Sequence, residues 1–378
     1  MTTQARGSTR ETTAPASAKP GRIASLDWVR GLFLVGSVAT VSVLAPRPEP
    51  LVHAEWFGVT VQDLVFPLFV TLSGAGLAFA YRNRVGWRPT LRRSLVLLVA
   101  GLAYTMVAAG SVDPGTLRWT GALQVYAVLV LVIGLLHRVA RGPVAWAVVT
   151  LLVAAAHTLL LHGWQSGCAG GDLTPQCNPS LSIDTALLGT AHMYAQGTLG
   201  HDPEGVVGIL GALLTASVGA VAGHLALSVR GTRRAPAHLL GWAAVAFLAA
   251  VATAELLPAM KRLWTTPFAL GAGALGVVLL ALGMALLDVP ARRAWTRLRS
   301  PLSWPLVALG RNSLLVYFGS HLLMILLLRY GGVTSYAERL AAAVEVAGMP
   351  RASLVVVMVL GWMAVAAVLH RWRIYLRP

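Results

Sequence analysis

Residues 53–82 read HAEWFGVTVQDLVFPLFVTLSGAGLAFAYR. A polar and aromatic loop comes first. Thr60 to Asp63 then has the pattern of a helix start, with a hydroxyl at the cap position and an acid three residues later. About eighteen mostly apolar residues follow, enough for a helix that crosses a bilayer, and a basic run opens at Arg82. The stretch therefore predicts a transmembrane helix with ionisable groups at one end and a positive anchor at the other.

The composition of the whole chain also predicts a membrane protein. Of its 378 residues, 56% are hydrophobic and only 12% are charged, about half the charged fraction of a typical soluble protein. About ten apolar segments are long enough to cross a bilayer. They lie near residues 25–45, 62–81, 92–110, 121–137, 143–161, 206–228, 237–256, 267–287, 304–328 and 352–370. The sequence thus predicts an all-α, polytopic bundle, with one transmembrane domain at residues 23–375 and a disordered cytosolic tail at residues 1–22.

The distribution of charge predicts the orientation of this bundle. A net charge of +16 would by itself suit nucleic-acid binding, but the basic residues lie in short loops between apolar segments, where they act as topology determinants. On one side they outnumber those on the other about three to one, which predicts cytosolic termini. Acids and several histidines lie in the opposite loops, including the longest, at about 162–205. The expected partner is the lipid bilayer of a plasma or inner membrane, not nucleic acid, and the chemistry is expected at the extracytoplasmic face.

The two cysteines of the chain, Cys168 and Cys177, both fall in this long loop. Because the loop is expected to be extracytoplasmic, the pair is predicted to form a disulfide, the alternative being two free thiols. One cysteine pair without a histidine at ligand spacing is a poor zinc site, so no metal is expected.

His53 and Asp63 form a candidate catalytic pair. A neutral imidazole can accept a proton from an attacking group or act as the nucleophile itself, and a carboxylate can orient the ring through its second nitrogen. The alternative is a solvated loop histidine near an acid that only favours the start of a helix. The residue types alone leave both interpretations open.

The same stretch resembles the catalytic segment of the heparan-α-glucosaminide N-acetyltransferase family, membrane enzymes that acetylate a terminal amino sugar with acetyl-CoA. The family pattern His-x-x-Trp-x-Gly-(Leu/Val)-Thr-x-x-Asp-(Leu/Phe)-Val-(Phe/Met)-Pro-x-Phe is matched from His53 to Phe69. The resemblance implies that His53 is the catalytic residue. It further implies that acetyl-CoA is the co-substrate and that the acceptor is a glucosamine-containing sugar or glycan.

Five other segments resemble motifs of this family in the same order along the chain: residues 26–31, 118–124, 183–205, 261–264 and 310–317. One departure is Val125, where the family has an arginine. The first and last segments, with one further histidine, supply the expected CoA contacts: Arg30, Arg311, Asn312, Tyr317 and His321. The last three are expected to form a polar ladder along one continuous helix. The alternatives are that Arg30 only pairs with Asp27 or reaches the interface and that the ladder only bonds neighbouring helices.

The remaining motifs supply the expected contacts to the sugar: Trp56, Asp184, His192, Tyr194, Glu204, Lys261 and Trp264. Structural alternatives exist for several of them. Lys261 and Trp264 have the composition of a membrane-interface anchor. Residues 202–204, Asp-Pro-Glu, have the pattern of a helix N-terminus capped by Asp202, which is sufficient to explain that residue.

Taken with the resemblance, the sequence predicts a transmembrane N-acetyltransferase that moves the acetyl group of cytosolic acetyl-CoA to an amino sugar at the extracytoplasmic face. His53 is expected to act as base or as acetyl-accepting nucleophile. The alternatives are a transporter or flippase of a glycan or lipid and an O-acyltransferase of a surface polysaccharide. The sequence leaves the acceptor and the oligomeric state open, a homodimer being one alternative.

Overall fold

The computed structural model of the chain describes residues 23–229, 232–289 and 293–376, and for residues 293–300 it describes the helix without the side chains. The predicted tail, residues 1–22, lies outside the described residues. The helices are α1 (Ala24–Ser42), α2 (Val61–Tyr81), α3 (Trp87–Ala109), α4 (Ala122–Val139), α5 (Pro143–Gln165), α6 (Pro179–Leu188), α7 (Val206–Ser228), α8 (Ala235–Ala254), α9 (Thr266–Leu287), α10 (Arg293–Arg311), α11 (Ser313–Arg329), α12 (Tyr336–Ala343) and α13 (Pro350–Arg371).

Most of these helices cross the membrane. Within the described ranges, nine are long and apolar enough to do so, and the number is ten if the bent pair α10 and α11 is counted as one crossing. Large apolar side chains point outward from the rim of the bundle: on α3, Leu95 is 60% exposed and Val99 is 58% exposed. Such a surface is stable against lipid but not against water. The predicted all-α, polytopic membrane fold is therefore confirmed.

Two faces of the bundle are named from α2. The face at which α2 begins is here the His53 face, and the face at which it ends is the Arg82 face. The loop before α2, the segment between α5 and α7 and the turn between α8 and α9 all lie on the His53 face. The segment between α5 and α7 contains α6 and the disulfide between Cys168 and Cys177.

The centre of the bundle is the pair α2 and α7, which pack against each other. Gly219 of α7 lies against the backbone of Thr71, and Gly74 of α2 lies against the backbone of Ala216; a Cβ atom at either glycine would overlap a carbonyl oxygen. Small residues allow this close approach, which helices in lipid need because lipid supplies no hydrophobic force between them. The contact fixes α2, and with it the positions of the side chains at both of its ends.

The ninth crossing differs from the predicted continuous helix. The axes of its two parts form an angle of 71°, with the break at Asn312. The backbone N–H of Asn312 donates to Leu309 O at 2.9 Å, and its side-chain amide donates to Ala308 O at 3.2 Å. A side chain that takes this carbonyl competes with the regular helical bond, so α10 ends here. The prediction of one straight polar ladder was wrong, because it treated residues 310–317 as a single helix.

Candidate active site

His53 and Asp63 lie side by side at the start of α2. The Nδ1 atom of His53 is 2.6 Å from Oδ1 of Asp63, whose side chain is 1% exposed, against 44% for His53. The second oxygen, Oδ2, accepts from the backbone N–H groups of Ala54 at 3.2 Å and Thr60 at 3.0 Å. A carboxylate that accepts on both oxygens orients Nδ1 of the imidazole as a donor, which leaves a lone pair on Nε2. The pair can therefore present a base or nucleophile to the outside.

The loop that carries His53 is held by two neighbouring segments. The indole Nε1 of Trp56 donates to Leu173 O at 2.7 Å, which ties the loop to the disulfide-bonded segment before α6. The Nε atom of Arg262 donates to Ala54 O at 2.9 Å, which ties the residue next to His53 to the turn before α9. These contacts make Trp56 a support for the position of His53.

An ion cluster lies on the same face, formed by Arg118, Asp202, Glu204 and Lys261. The Nη2 atom of Arg118 is 2.7 Å from both Asp202 Oδ1 and Glu204 Oε2, and Lys261 Nζ is 3.5 Å from Glu204 Oε1. Burial raises the pKa of Glu204, but the facing charges of Lys261 and Arg118 outweigh it and hold that pKa at about 2. Glu204 is thus a fixed negative charge at 13% exposure.

Asp184 lies beneath this cluster and caps α7. Its Oδ1 accepts from the N–H of Val206 at 2.7 Å, and its Oδ2 accepts from the hydroxyl of Ser180 at 2.5 Å. Burial raises the pKa of Asp184 to about 6, although both hydrogen bonds lower it. The predicted cap at Asp202 was wrong: α7 begins at Val206, and its free N–H groups are satisfied by a carboxylate that is distant in sequence.

His192 and Tyr194 border the ion cluster. The imidazole of His192 stacks on the indole of Trp119, with ring centroids 3.9 Å apart, and its Nδ1 atom lies 2.8 Å from Leu117 O. The ring of Tyr194 lies under the guanidinium of Arg118, 4.6 Å from its centroid. The long loop therefore contributes an aromatic edge to the charged cluster.

Trp264 links this face to the interior. It is fully buried, its Nε1 donates to the hydroxyl of Thr215 at 3.0 Å, and its ring centroid is 5.3 Å from that of Phe66. Its backbone has a φ of 49°, a left-handed conformation that is uncommon outside glycine. The turn that carries Lys261 into the ion cluster thus also places Trp264 against the wall of a cavity.

This cavity, of about 570 Å³, lies between α1, α2, α3, α4 and the α10–α11 break. Its lining on α2 runs from Phe66 to Arg82, about 24 Å at the rise of an α-helix. Phe66 follows Asp63 by three residues, so both lie on one face of α2 about one turn apart. The cavity therefore extends from the Arg82 face to within a turn of the His53–Asp63 pair.

The two ends of the cavity differ in chemistry. Towards the His53 face its walls are aromatic, with Phe66, Phe69, Tyr126 and Tyr317. Towards the Arg82 face they carry four arginines: Arg30, Arg82, Arg93 and Arg311. Such a cavity suits a ligand with an anionic head and an apolar arm.

Asp27 balances part of the arginine charge. It is 3.9 Å from Nη1 of Arg30 and 3.5 Å from Nε of Arg311. Arg30 also donates to Leu72 O at 3.1 Å, and Arg311 donates to the hydroxyl of Tyr375 at 3.1 Å. These contacts hold both guanidinium groups at the cavity wall.

The expected CoA contacts divide into two sets. Arg30, Arg311 and Tyr317 line the cavity, whereas Asn312 and His321 do not belong to its lining. Asn312 is fully buried at the helix break, and the ring of His321 packs on Tyr317 with its Nδ1 atom 2.8 Å from Tyr317 O. Both side chains therefore lie behind the residues that line the cavity.

Two of the arginines that line the cavity were not identified as candidate site residues from the sequence. Arg82 and Arg93 were counted only as part of the basic loop that sets the topology. For Arg93 a signal existed: it lies in phase with Thr90 and Leu97, which are buried on the inner face of α3, whereas its neighbour Arg92 is exposed. Arg82 had no such signal, because it lies at the end of its helix.

Comparison with known proteins agrees with the motifs. Residues 22–167 match the family model described as heparan-alpha-glucosaminide N-acetyltransferase, catalytic. The human heparan-alpha-glucosaminide N-acetyltransferase is 25% identical over 374 residues, covering 83% of this chain and 55% of that protein. The mouse protein of the same name is 24% identical over 363 residues, covering 80% of this chain and 54% of its own. The chain spans about half the length of these curated relatives.

The matched region holds the His53–Asp63 pair and part of the cavity. Residues 22–167 include His53, Asp63, Arg30 and Arg93, and the longer alignments extend beyond that region. Together, the family model and the two relatives show that this chain is similar to the heparan-alpha-glucosaminide N-acetyltransferases over most of its length.

Proposed function

We propose that this protein is a membrane N-acetyltransferase that moves the acetyl group of acetyl-CoA to the amine of a glucosamine-type sugar. The observation that carries this proposal is the course of the cavity. Its arginines lie towards one face of the bundle, and its aromatic end lies about one turn from Asp63, which orients His53. A thioester anchored among the arginines would have its acyl carbon at the end nearest to His53.

The lining of the cavity fits acetyl-CoA as the donor. Guanidinium groups form strong, charge-assisted hydrogen bonds to phosphate oxygens, so Arg30 and Arg311 would hold the nucleotide end. Leu77, Leu97 and Leu129 would contact the pantetheine arm. The cavity volume of about 570 Å³ lies in the range of pockets that enclose small ligands.

The His53–Asp63 pair supports two routes to the product. In the first, Nε2 of His53 takes a proton from the acceptor amine as that amine attacks the thioester carbonyl. The C–N bond forms, the C–S bond breaks, and the proton passes to the leaving thiolate. In the second, Nε2 itself attacks the carbonyl, the C–S bond breaks and CoA leaves as its thiolate. The amine then displaces the acetyl group from Nε2, and its proton passes to the thiolate. In both routes Asp63 keeps the ring oriented and stabilises its positive charge.

The acceptor would bind on the His53 face, between the loop of His53 and the ion cluster. Glu204 would attract the amino group of the sugar, Lys261 would donate to its hydroxyl groups, and His192 and Tyr194 would border the ring. Trp56, Asp184 and Trp264 would act through position: the first supports the loop, the second caps α7, and the third packs against Phe66 at the end of the cavity.

The orientation of the bundle in the membrane is part of the same proposal. The excess of basic residues at the Arg82 face favours that face, and both termini, on the cytosolic side of a plasma or inner membrane. Acetyl-CoA would then enter from the cytosol, and the amino sugar would be acetylated on the extracytoplasmic side. The transmembrane acyltransferase domain would cover residues 23–375.

A purified-protein assay with radiolabelled acetyl-CoA tests the activity. With glucosamine, the wild type should release CoA and form labelled product, and His53→Ala should lower turnover by about 10²- to 10⁴-fold, the usual worth of general acid–base catalysis. His162→Ala is the matched control, since His162 is an exposed histidine at the same face and should leave turnover unchanged. N-acetylglucosamine, whose amine is blocked, should not react.

Other results would favour O-acylation or transport instead of N-acetylation. Labelling of N-acetylglucosamine would indicate O-acylation and contradict the amine as acceptor. Equal turnover of wild type and His53→Ala would contradict the role of His53. A transporter or flippase would need no acetyl-CoA, so the absence of both CoA binding and CoA release would contradict the enzyme.

A further inference from the structure

The four arginines of the cavity have different surroundings. Arg30 and Arg311 share the carboxylate of Asp27. In the part of the chain that the structure describes, no acidic side chain pairs with Arg82 or Arg93. The first pair is therefore partly neutralised by protein, whereas the second presents its full positive charge to the cavity.

Arg93 is also enclosed without a hydrogen-bond partner for part of its guanidinium. It is half buried, and its Nε atom is shielded from solvent and has no acceptor within reach. A buried donor without an acceptor destabilises the structure. The helix around it is well anchored, because Ser94 donates to Ala127 O of α4 at 2.9 Å. A guanidinium in these surroundings suits an anionic ligand that accepts from its N–H groups.

The charges of CoA match this difference between the two pairs. Its pyrophosphate consists of phosphodiesters, each with about one negative charge. Its 3′-phosphate is a monoester, with a charge of about −1.5 to −2 near pH 7 and three acceptor oxygens. The most highly charged group is best matched by the arginines that no protein acid neutralises, and the pyrophosphate by the pair that Asp27 partly neutralises.

We infer that Arg93, together with Arg82, binds the 3′-phosphate of CoA and makes the cavity selective for CoA over dephospho-CoA. The inference rests on the proposed use of acetyl-CoA as donor. Arg82 lies at the end of α2 and is exposed, so it can approach the phosphate from the Arg82 face. Arg93 reaches it from α3, inside the cavity wall.

Equilibrium binding to the purified full-length protein in nanodiscs tests this assignment with CoA and dephospho-CoA as probes. The wild type should bind CoA at least about ten times more tightly than dephospho-CoA. Arg93→Ala should weaken CoA binding about 10- to 100-fold, the usual worth of a charged hydrogen bond. Its affinity for dephospho-CoA should stay within about twofold, because dephospho-CoA lacks the group that Arg93 contacts.

Three further variants complete the experiment. Arg92→Ala is the matched control: it removes an identical charge from the adjacent, exposed position and should bind both probes as the wild type does. Arg82→Ala should also weaken the binding of CoA but not that of dephospho-CoA. Because Arg82 is exposed, this variant is not expected to misfold. Arg93→Lys keeps the charge but not the planar fork and should have an intermediate affinity for CoA.

The outcomes separate this inference from the proposed function. If wild type binds both probes equally, or if Arg93→Ala weakens both by the same factor, the 3′-phosphate assignment is overturned while CoA remains the ligand. If the wild type binds neither probe, the proposed donor fails and the assignment fails with it.

Discussion

Among single residues, the bond between His53 and Asp63 has the clearest chemical consequence. It determines which imidazole nitrogen is available, because an ionised carboxylate can only accept. The same carboxylate accepts the first N–H groups of the loop and helix, so one side chain both starts α2 and orients the histidine. A pattern that looks like ordinary helix capping therefore also orients the imidazole of His53.

Asp63→Asn should separate these two roles. The amide can still accept through its oxygen, but its NH₂ group favours the imidazole tautomer with hydrogen on Nε2, which is neither base nor nucleophile. We expect turnover to fall about 10²- to 10⁴-fold while the affinity for CoA stays within about twofold. Asp172→Asn, at an exposed acid of the long loop, is the control for a lost surface charge. Unchanged turnover in Asp63→Asn would mean that Asp63 serves only the helix.

The contacts of single residues also differ in whether the sequence could predict them. The proximity of His53 and Asp63 could be predicted, because they are only ten positions apart and the residues between them form a loop and a capping pattern. The partners of Glu204 could not, since Arg118 and Lys261 come from two other loops and only the tertiary fold brings them within 2.7 and 3.5 Å. The cap of α7 was assigned to the wrong acid for the same reason: Asp202 is adjacent in sequence, whereas Asp184 is adjacent in space.

Among the elements, α2 connects the two functional regions. It carries Asp63 near one end, the aromatic and small residues of the cavity in its middle, and Arg82 at the other end. Its contact with α7 is close because Gly74 and Gly219 replace side chains at the crossing. The distance between the His53–Asp63 pair and the cavity therefore depends on the packing of α2 against α7.

Gly219→Ala should loosen that contact. The added methyl group would overlap the carbonyl oxygen of Thr71, and overpacking of this kind costs about 1–3 kcal/mol. We expect the midpoint of thermal unfolding to fall by roughly 5 °C and turnover to fall with it. Gly36→Ala is the control, because its Cβ would meet open space and should not lower the midpoint. Equal midpoints for the two variants would contradict the close packing of α2 on α7.

At the level of the helices, the prediction of the second span is confirmed and the predicted shape of the ninth span was wrong. The predicted bounds of the second span, residues 62–81, agree closely with α2, because a long apolar run with a cap and a basic end leaves little freedom. The ninth span kept its position but not its shape. Its break at Asn312 depends on a side-chain bond to Ala308 O and on the approach of Gly310 to α1, neither of which an apolar run records.

In the whole molecule, a cavity lined by arginines opens towards the Arg82 face and ends about one helical turn from the His53–Asp63 pair at the His53 face. The number and approximate limits of the crossings could be read from hydropathy. The cavity could not, because it is formed by residues of seven helices whose common feature is only their position in space. Arg93 illustrates this: in sequence it is one of five arginines in a basic segment, and in the fold it lines the cavity.

The central claim is that donor and acceptor react from opposite faces of one protein. Reconstitution into sealed proteoliposomes with a single orientation measures this most directly, with labelled acetyl-CoA and glucosamine supplied on chosen sides. We expect N-acetylglucosamine only when acetyl-CoA is on the side of the Arg82 face and glucosamine is on the side of the His53 face. Product formed when both substrates are confined to the same side, or only with the sides exchanged, would contradict it.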